Sequence, residues 1–261
     1  MAQVMEFLTG NIINTTTMID VLSGTLTMAN LFNPDKTQQW VSQGYNDDTL
    51  AAEITINFSE TTTIDRLALK EHNLKEFHFY YNGVTANTFN LSTANTTTLS
   101  YISNSDTAQY FAVTPIDCTS VTLYMKKTQS VDSEKAVGFF YVGQNLLDLP
   151  RIPASKNYQI TKKVVKITHK LSDGGIRQQK ISEKWETKVK LSYISDADVT
   201  NLEDIYDRKS ATMFAPFGTS TVWPGILYEC VWEGDFDFWE FADNASSAGR
   251  EGSIKLSETP W

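Results

Sequence analysis

Three histidines, His72, His78 and His169, are the first side chains to weigh for acid–base or metal chemistry. His72 and His78 stand six residues apart, which would share one face of a single extended strand, but Asn73-Leu74-Lys75 between them reads as a bend. Neither lies in an H-x-x-x-H spacing or beside a cysteine cluster, so they do not make a zinc set. His169, ahead of the polar turn Ser172-Asp173-Gly174-Gly175, reads as a surface strand residue. The chain has no G-x-S-x-G elbow, no Walker loop and no G-x-G-x-x-G, and Gly174-Gly175 is accounted for by a hairpin turn that needs positive φ. Carboxylates pair at Asp47 and Asp48 and at Asp235 and Asp237. Glycosidase chemistry needs two carboxyls opposed across a sugar-sized cleft, and spacing alone does not place sequence neighbours that way. The chain therefore reads as non-enzymatic, with Cys118 and Cys230 as two small buried side chains rather than a disulfide.

The elements that must position these residues are strands. With 261 residues, 41% hydrophobic and 12% aromatic, the chain has enough apolar material for two domains with separate cores. Its formal charge of -9 argues against general nucleic-acid binding, which draws its affinity from a Lys/Arg surplus, so any DNA contact would be local. Met1 to Thr9 has no basic region ahead of an apolar core, and no apolar run of ~18 residues occurs, so neither a signal peptide nor membrane insertion is expected. Threonine-rich runs and short alternating segments such as Glu53 to Phe58, Ile64 to Leu69, Glu76 to Tyr81, Ser120 to Met125 and Ala136 to Val142 predict an N-terminal β-sandwich.

Pro150 and Pro153 cannot donate to a sheet and mark a linker. The expected division is a domain over 1–149, a linker over 150–160 and a second domain over 161–261. In the second, Trp185, Val189, Leu191 and Tyr193 form a period-2 apolar row, and Ser195 caps a helix over 196–209 with Val199, Leu202, Ile205 and Tyr206 as its stripe. Ile226 to Glu233 and Asp235 to Phe238 read as a hairpin pair, and Gly249 to Glu258 as a last strand. The fold class is all-β with one short helix.

The order strand, capped helix, Pro/Gly loop, the segment Tyr228-Glu229-Cys230-Val231-Trp232-Glu233-Gly234-Asp235-Phe236-Asp237-Phe238 and the closing Gly252 to Pro260 resembles the tail-tube-like β-domains of bacteriophage tail and baseplate proteins. The resemblance covers roughly the last hundred residues. It implies a distal-tail or baseplate subunit forming a homo-oligomeric ring, a hexamer being one such form, around a DNA channel. Other tail proteins would be its partners, and it would reside in the virion after synthesis in the host bacterial cytoplasm. A channel that passes DNA without gripping it needs an acidic or neutral lumen, for which Glu186, Glu233, Asp235 and Asp237 are the candidates; the alternative is that they only keep the surface soluble. Phe236, Phe238, Trp239 and Phe241 exceed what one small β-domain usually buries and are read either as core or as ring contacts.

Asn30 to Trp40, Ile54 to Glu60, Thr63 to Leu69, His72 to Phe77 and Ala136 to Gly143 resemble the discoidin, or galactose-binding-like, jelly roll over about residues 10–148. That resemblance implies a jelly roll followed by the tail-tube-like domain, and a structural calcium ion in the early loop. Asn30, Asn33, Asp35, Asn46, Asp47 and Asp48 supply hard oxygens there, with ordinary Asx turns as the other reading. It also implies the alternative function, a carbohydrate-binding adhesion module that attaches to cell-surface glycans. No residue-by-residue assignment of a sugar site follows from it.

Overall fold

The computed structural model describes residues 5–21, 28–32, 38–82, 98–100, 107–149, 158–170, 175–216, 227–241 and 249–259. Its strands are β1 (Met5–Leu8), β2 (Ile19–Val21), β3 (Trp40–Val41), β4 (Ala52–His72), β5 (Leu74–Asn82), β6 (Thr98–Ser100), β7 (Ala108–Thr128), β8 (Ala136–Gly143), β9 (Asn145–Leu149), β10 (Tyr158–Lys170), β11 (Ile176–Ile194), β12 (Thr212–Ala215), β13 (Tyr228–Trp232), β14 (Phe238–Phe241) and β15 (Gly249–Glu258), with one α-helix, α1 (Asp196–Asp207). Two compact units result, one of residues 8–145 with 216–227, the other of residues 1–7, 146–215 and 228–261. All the paired strands whose register is described run antiparallel. The class is all-β with one short helix.

In the first unit the strand order is β3-β8-β4-β7-β5-β6, with β2 on β4. Strand β4 begins with Ala52, Ile54 and Ile56 buried and their neighbours half-exposed, the alternation of a strand with one wet face. Its middle, Phe58 to Thr61, breaks pairing with β7, and from Arg66 onward it lies between β7 and β8 with Leu67, Ala68 and Leu69 all buried. The register breaks in β4 let one strand serve both stretches of the sheet. Trp40 and the rings of Phe77, Phe79, Phe111 and Phe140 fill the core. The bend expected over Asn73-Leu74-Lys75 is confined to Asn73: His72 ends β4, its Nδ1 accepts the Leu74 backbone N–H at 3.1 Å, and Leu74 and Lys75 already belong to β5.

The second unit is a sheet of order β10-β11-β15-β13-β12-β1-β9, with β14 also on β15. Three expectations are corrected here. The N-terminal strand Met5–Leu8 belongs to this sheet and not to the sandwich that follows it in sequence. The proline stretch separates β9 from β10 inside this one unit, and the boundary between units falls at 145–146; residues 150–157 themselves lie outside the described residues. Proline breaks a strand, but that break does not say which strands share a core. Finally, β13 and β14 do not pair with each other: β13 pairs with the end of β15 and β14 with its start, and Gly234 turns the chain between them at a φ of 91°.

The buried row of β11 also departs from strict alternation. Thr187, Val189 and Leu191 are inside, but a register shift after Leu191 sends Tyr193 to solvent at 56% exposure and Ile194 to the core. Tyr193 sits at a φ of 61°, the left-handed region that an aromatic residue rarely enters. Helix α1 follows as read. Ser195 Oγ accepts the Asp198 N–H at 3.1 Å and donates to the Asp198 carboxylate at 2.7 Å, and Val199, Leu202 and Ile205 are buried. It stops at Asp207, two residues before the expected end, where Lys209 turns left-handed and its N–H reaches back to Tyr206 O. Ser195→Ala should cost about 1 kcal/mol and Leu202→Ala about 2 to 4 kcal/mol in urea unfolding; equal small effects would contradict this packing.

Candidate functional sites

The most unusual surface is the far half of the β10–β11 hairpin. Strand β11 pairs with β15 only from Glu186 onward, so among the described residues the stretch from the Lys162–Trp185 pair to the Lys170–Ile176 pair is a ribbon of two strands alone. At about 3.3 Å per residue it runs roughly 30 Å. A strand lying on a core alternates buried and exposed residues, but here Thr161 to Val164, Lys166 to Lys170 and Ile176 to Gln179 are all exposed. Val164, Ile167 and Ile176 are apolar side chains on this open ribbon, Ile176 at 63% exposure. Residues 162–185 carry seven Lys/Arg against two Asp/Glu, a net +5, which leaves -14 for the rest of the chain. A hairpin here was legible from Ser172-Asp173-Gly174-Gly175, although residues 171–174 lie outside the described residues; the length of the ribbon was not, because its lysine-rich strands lack the half-buried alternation that marks a strand.

At the root of the ribbon the lumen candidates separate into two groups. Glu186 accepts from Lys163 Nζ at 2.8 Å with Lys184 Nζ at 3.6 Å, and Glu233 accepts from Lys184 at 3.2 Å and from Lys255 at 2.7 Å. Three ammonium groups thus face two carboxylates, and this stretch is an ion-pair lattice rather than an acidic one. Asp235 and Asp237 are exposed. The Lys163 hydrogen bond holds Glu186 below the usual carboxylate range, and those of Lys255 foremost, with Ser257 and Lys184, pull Glu233 down to about 2.

A carboxylate with a depressed folded pKa stabilises the protein above its unfolded pKa, and that contribution is lost as the pH falls through the folded value. Stability should therefore drop between pH 4.5 and about 2, and Glu233→Gln should remove roughly 1 kcal/mol of that drop once solvent screening of this one-third-exposed group is counted. Urea midpoints at pH 5 and pH 3 measure it; an unchanged drop in the variant would contradict the lattice.

Of the aromatic group, Phe236 meets Tyr206 and Trp232 with centroids 5.5 and 5.7 Å away, and Phe238 meets Phe236 at 4.8 Å. Both pack against the core of the unit. Trp239 is 52% exposed. The side chain of Phe241 lies outside the described residues.

In the first unit the early-loop residues divide likewise. Asn30 is buried and its amide donates to Gln39 O at 3.1 Å; Asn33 and Asp35 lie outside the described residues. Asn46 is exposed. Asp47 makes an Asx turn with the Thr49 N–H at 2.7 Å, a bond that holds its carboxyl below the usual range, and Asp48 accepts from the Thr128 backbone at 3.1 Å and hydroxyl at 3.2 Å. The residue that sequence reasoning missed is Lys135. It is fully buried, and its ammonium donates to Tyr45 O at 2.7 Å and Asp47 O at 2.8 Å, while its backbone N–H donates to Ser42 Oγ at 2.9 Å. Burial pushes the Lys135 amine down, and Asp48, Asp47 and Asp132 push back up. A lysine in Asp132-Ser133-Glu134-Lys135 looks like surface, and only its tertiary surroundings show otherwise. Among the described residues no three His, Cys, Asp or Glu side chains gather as a metal group.

His78 lies against Tyr80 and Tyr124, and burial lowers its pKa. Cys118 and Cys230 are both buried and are not joined in a disulfide. Among the described residues no helix is long and apolar enough to cross a membrane.

No family model matches the chain, and no curated protein matches it. Among solved structures it is similar to the chitosan-binding module 1 derived from a chitosanase/glucanase of Paenibacillus sp. IK-5, at 13% identity over 52% of this chain and 98% of that one, with a TM-score of 0.40. It is similar to the module CpGH89CBM32-5 of Clostridium perfringens, in complex with GalNAc-β-1,3-galactose, at 12% identity over 48% of this chain and 92% of that one, with a TM-score of 0.38. A GH29 fucosidase of Ruminococcus gnavus aligns at 11% identity over 49% of this chain and 25% of that one, with a TM-score of 0.37.

Proposed function

We propose that this chain is a non-enzymatic structural subunit that assembles with copies of itself through the β10–β11 ribbon, as a ring-forming protein of a phage tail tip or baseplate would. The observation that carries the reading is a two-stranded ribbon with both faces open, exposed Val164, Ile167 and Ile176, and a net +5 on a chain that is otherwise -14. Two strands alone are marginal in water. Lysines on an edge strand serve to keep edges apart, but three β-branched apolar side chains among them act the other way, since they leave water only when covered. A second copy supplies both cover and the opposite charge. Ribbon and acceptor are different surfaces, so the contact is head-to-tail, and such contacts close into rings or run on as filaments. In that role the protein resides in the virion after synthesis in the host cytoplasm, contacts other tail proteins, and lets DNA pass its channel.

Size-exclusion chromatography with light scattering at about 50 mM and about 500 mM salt tests it. Oligomers at low salt should shrink at high salt, and the Lys162→Glu, Lys163→Glu, Lys166→Glu triple variant should be monomeric throughout. A wild-type monomer at low salt and high concentration would overturn the reading.

The second reading is attachment to a glycan. Lys135 and Asp48 tie the loop of residues 42–50 to the segment 128–135, and this braced pair exposes Gln43, Asn46 and Leu50 beside Val131. Rigid polar loops at one end of a sandwich suit ligand capture. Chitosan oligosaccharides and GalNAc-β-1,3-galactose are the probes to apply to the full chain, with Asn46→Ala as the variant; saturable binding lost in that variant supports this reading, and no binding of either counts against it.

A further inference from the structure

Helix α1 and strands β12 and β13 enclose a cavity of about 260 Å³ in the second unit. Phe7 and Phe214 line it with ring centroids 5.1 Å apart, and Tyr206 and Trp232 line it as an edge-to-face pair at 5.5 Å. Three observations set it apart from loose packing. The indole N–H of Trp232 is buried and has no acceptor among the described residues. Native interiors rarely leave such a donor unmet. Lys209, which also lines the cavity, holds a φ of 49° at the end of α1, where glycine or asparagine is the usual choice. Lys209 is an exposed residue, and among the described residues it makes no ion pair.

Indole N–H and ammonium are donors only, so whatever binds must bring acceptor oxygens. The ring-lined walls ask for an apolar body, and one lysine asks for one negative charge. The last carbonyls of α1 present the negative end of the helix, which would repel a carboxylate if the lysine were absent. We propose that this cavity binds a small monocarboxylate with an aromatic or short aliphatic body, the body against Phe7, Phe214 and Tyr206, one carboxylate oxygen accepting the Trp232 N–H, and the charge met by Lys209. Such a site is independent of assembly through the ribbon.

The test uses the full chain and three probes of one shape: phenylacetate, its neutral amide phenylacetamide, and ethylbenzene, which has no acceptor. Calorimetric titration gives affinity. Iodoacetamide labelling of Cys230, which lines the same cavity, reports location, and Cys118 contributes little background because burial pushes its thiol up to about 12. Phenylacetate is expected to bind about tenfold tighter than the amide, to exceed ethylbenzene by more, and to slow Cys230 labelling. Lys209→Gly should keep or raise the melting temperature, because glycine accepts that φ, yet reduce phenylacetate to the affinity of the amide. Trp232→Phe keeps a ring and should weaken both acceptor probes. Equal binding of all three probes, equal binding of acid and amide, no binding at millimolar concentration, or affinities unchanged in both variants would each overturn the proposal.

Discussion

Phe7→Ala is expected to destabilise the second unit by about 3 to 5 kcal/mol while leaving the sandwich that immediately follows it in sequence unaffected. Phe7 is 1% exposed, lies against Phe214 with the two rings tilted at 44°, and belongs to the core with Met5, Leu147, Leu149 and Leu256. Its strand lies between β12 and β9 in the sheet order, so losing the ring opens a hole one strand in from the edge of that sheet. Hydrogen exchange measured by mass spectrometry distinguishes the units: faster exchange is expected in β12, β13 and β15 and unchanged exchange in β4, β7 and β8. Loss of protection in β4 to β8 would return the N-terminal strand to the first domain.

Lys135→Met should cost the first unit about 3 kcal/mol, because it strips a charged donor from two part-buried carbonyls and leaves Asp47 and Asp48 without the nearby ammonium. The same geometry bears on calcium. Tyr45 O and Asp47 O already have a positive charge donating to them, and Asp47 and Asp48 are engaged in turn and strand hydrogen bonds. The melting temperature of the wild type is therefore expected to be the same with millimolar calcium as with chelator. A calcium-dependent rise, which would grow with the logarithm of ion concentration, would show that the loop takes the metal after all.

What could be read from the chain follows how local each signal is. The cap at Ser195, its partner Asp198 and the stripe Val199, Leu202, Ile205 are all contained within twelve residues, and the helix starts where they placed it and ends two residues short of the expected end. The bend after His72 and the alternation at Ala52, Ile54 and Ile56 are equally local. Features decided by distant partners were not legible. Met5–Leu8 is a four-residue strand whose neighbours in the sheet begin at residues 145 and 212, and no pattern in four residues can name such partners. The bulge that turns Tyr193 outward depends on how β15 meets β11, so a simple alternation put the wrong residue inside. The lumen candidates were picked as carboxylates on a strand face, without the cross-strand lysines that a register would have revealed beside Glu186 and Glu233.

The central claim is that the open ribbon exists to be covered by another copy of the chain. Electron microscopy of this chain in low salt is the direct measurement: closed rings with a central hole are expected, lost when Ile167→Lys and Ile176→Lys remove the apolar contacts of the ribbon. A field of dispersed single copies from the wild type, or rings that persist unchanged in that double variant, would contradict it.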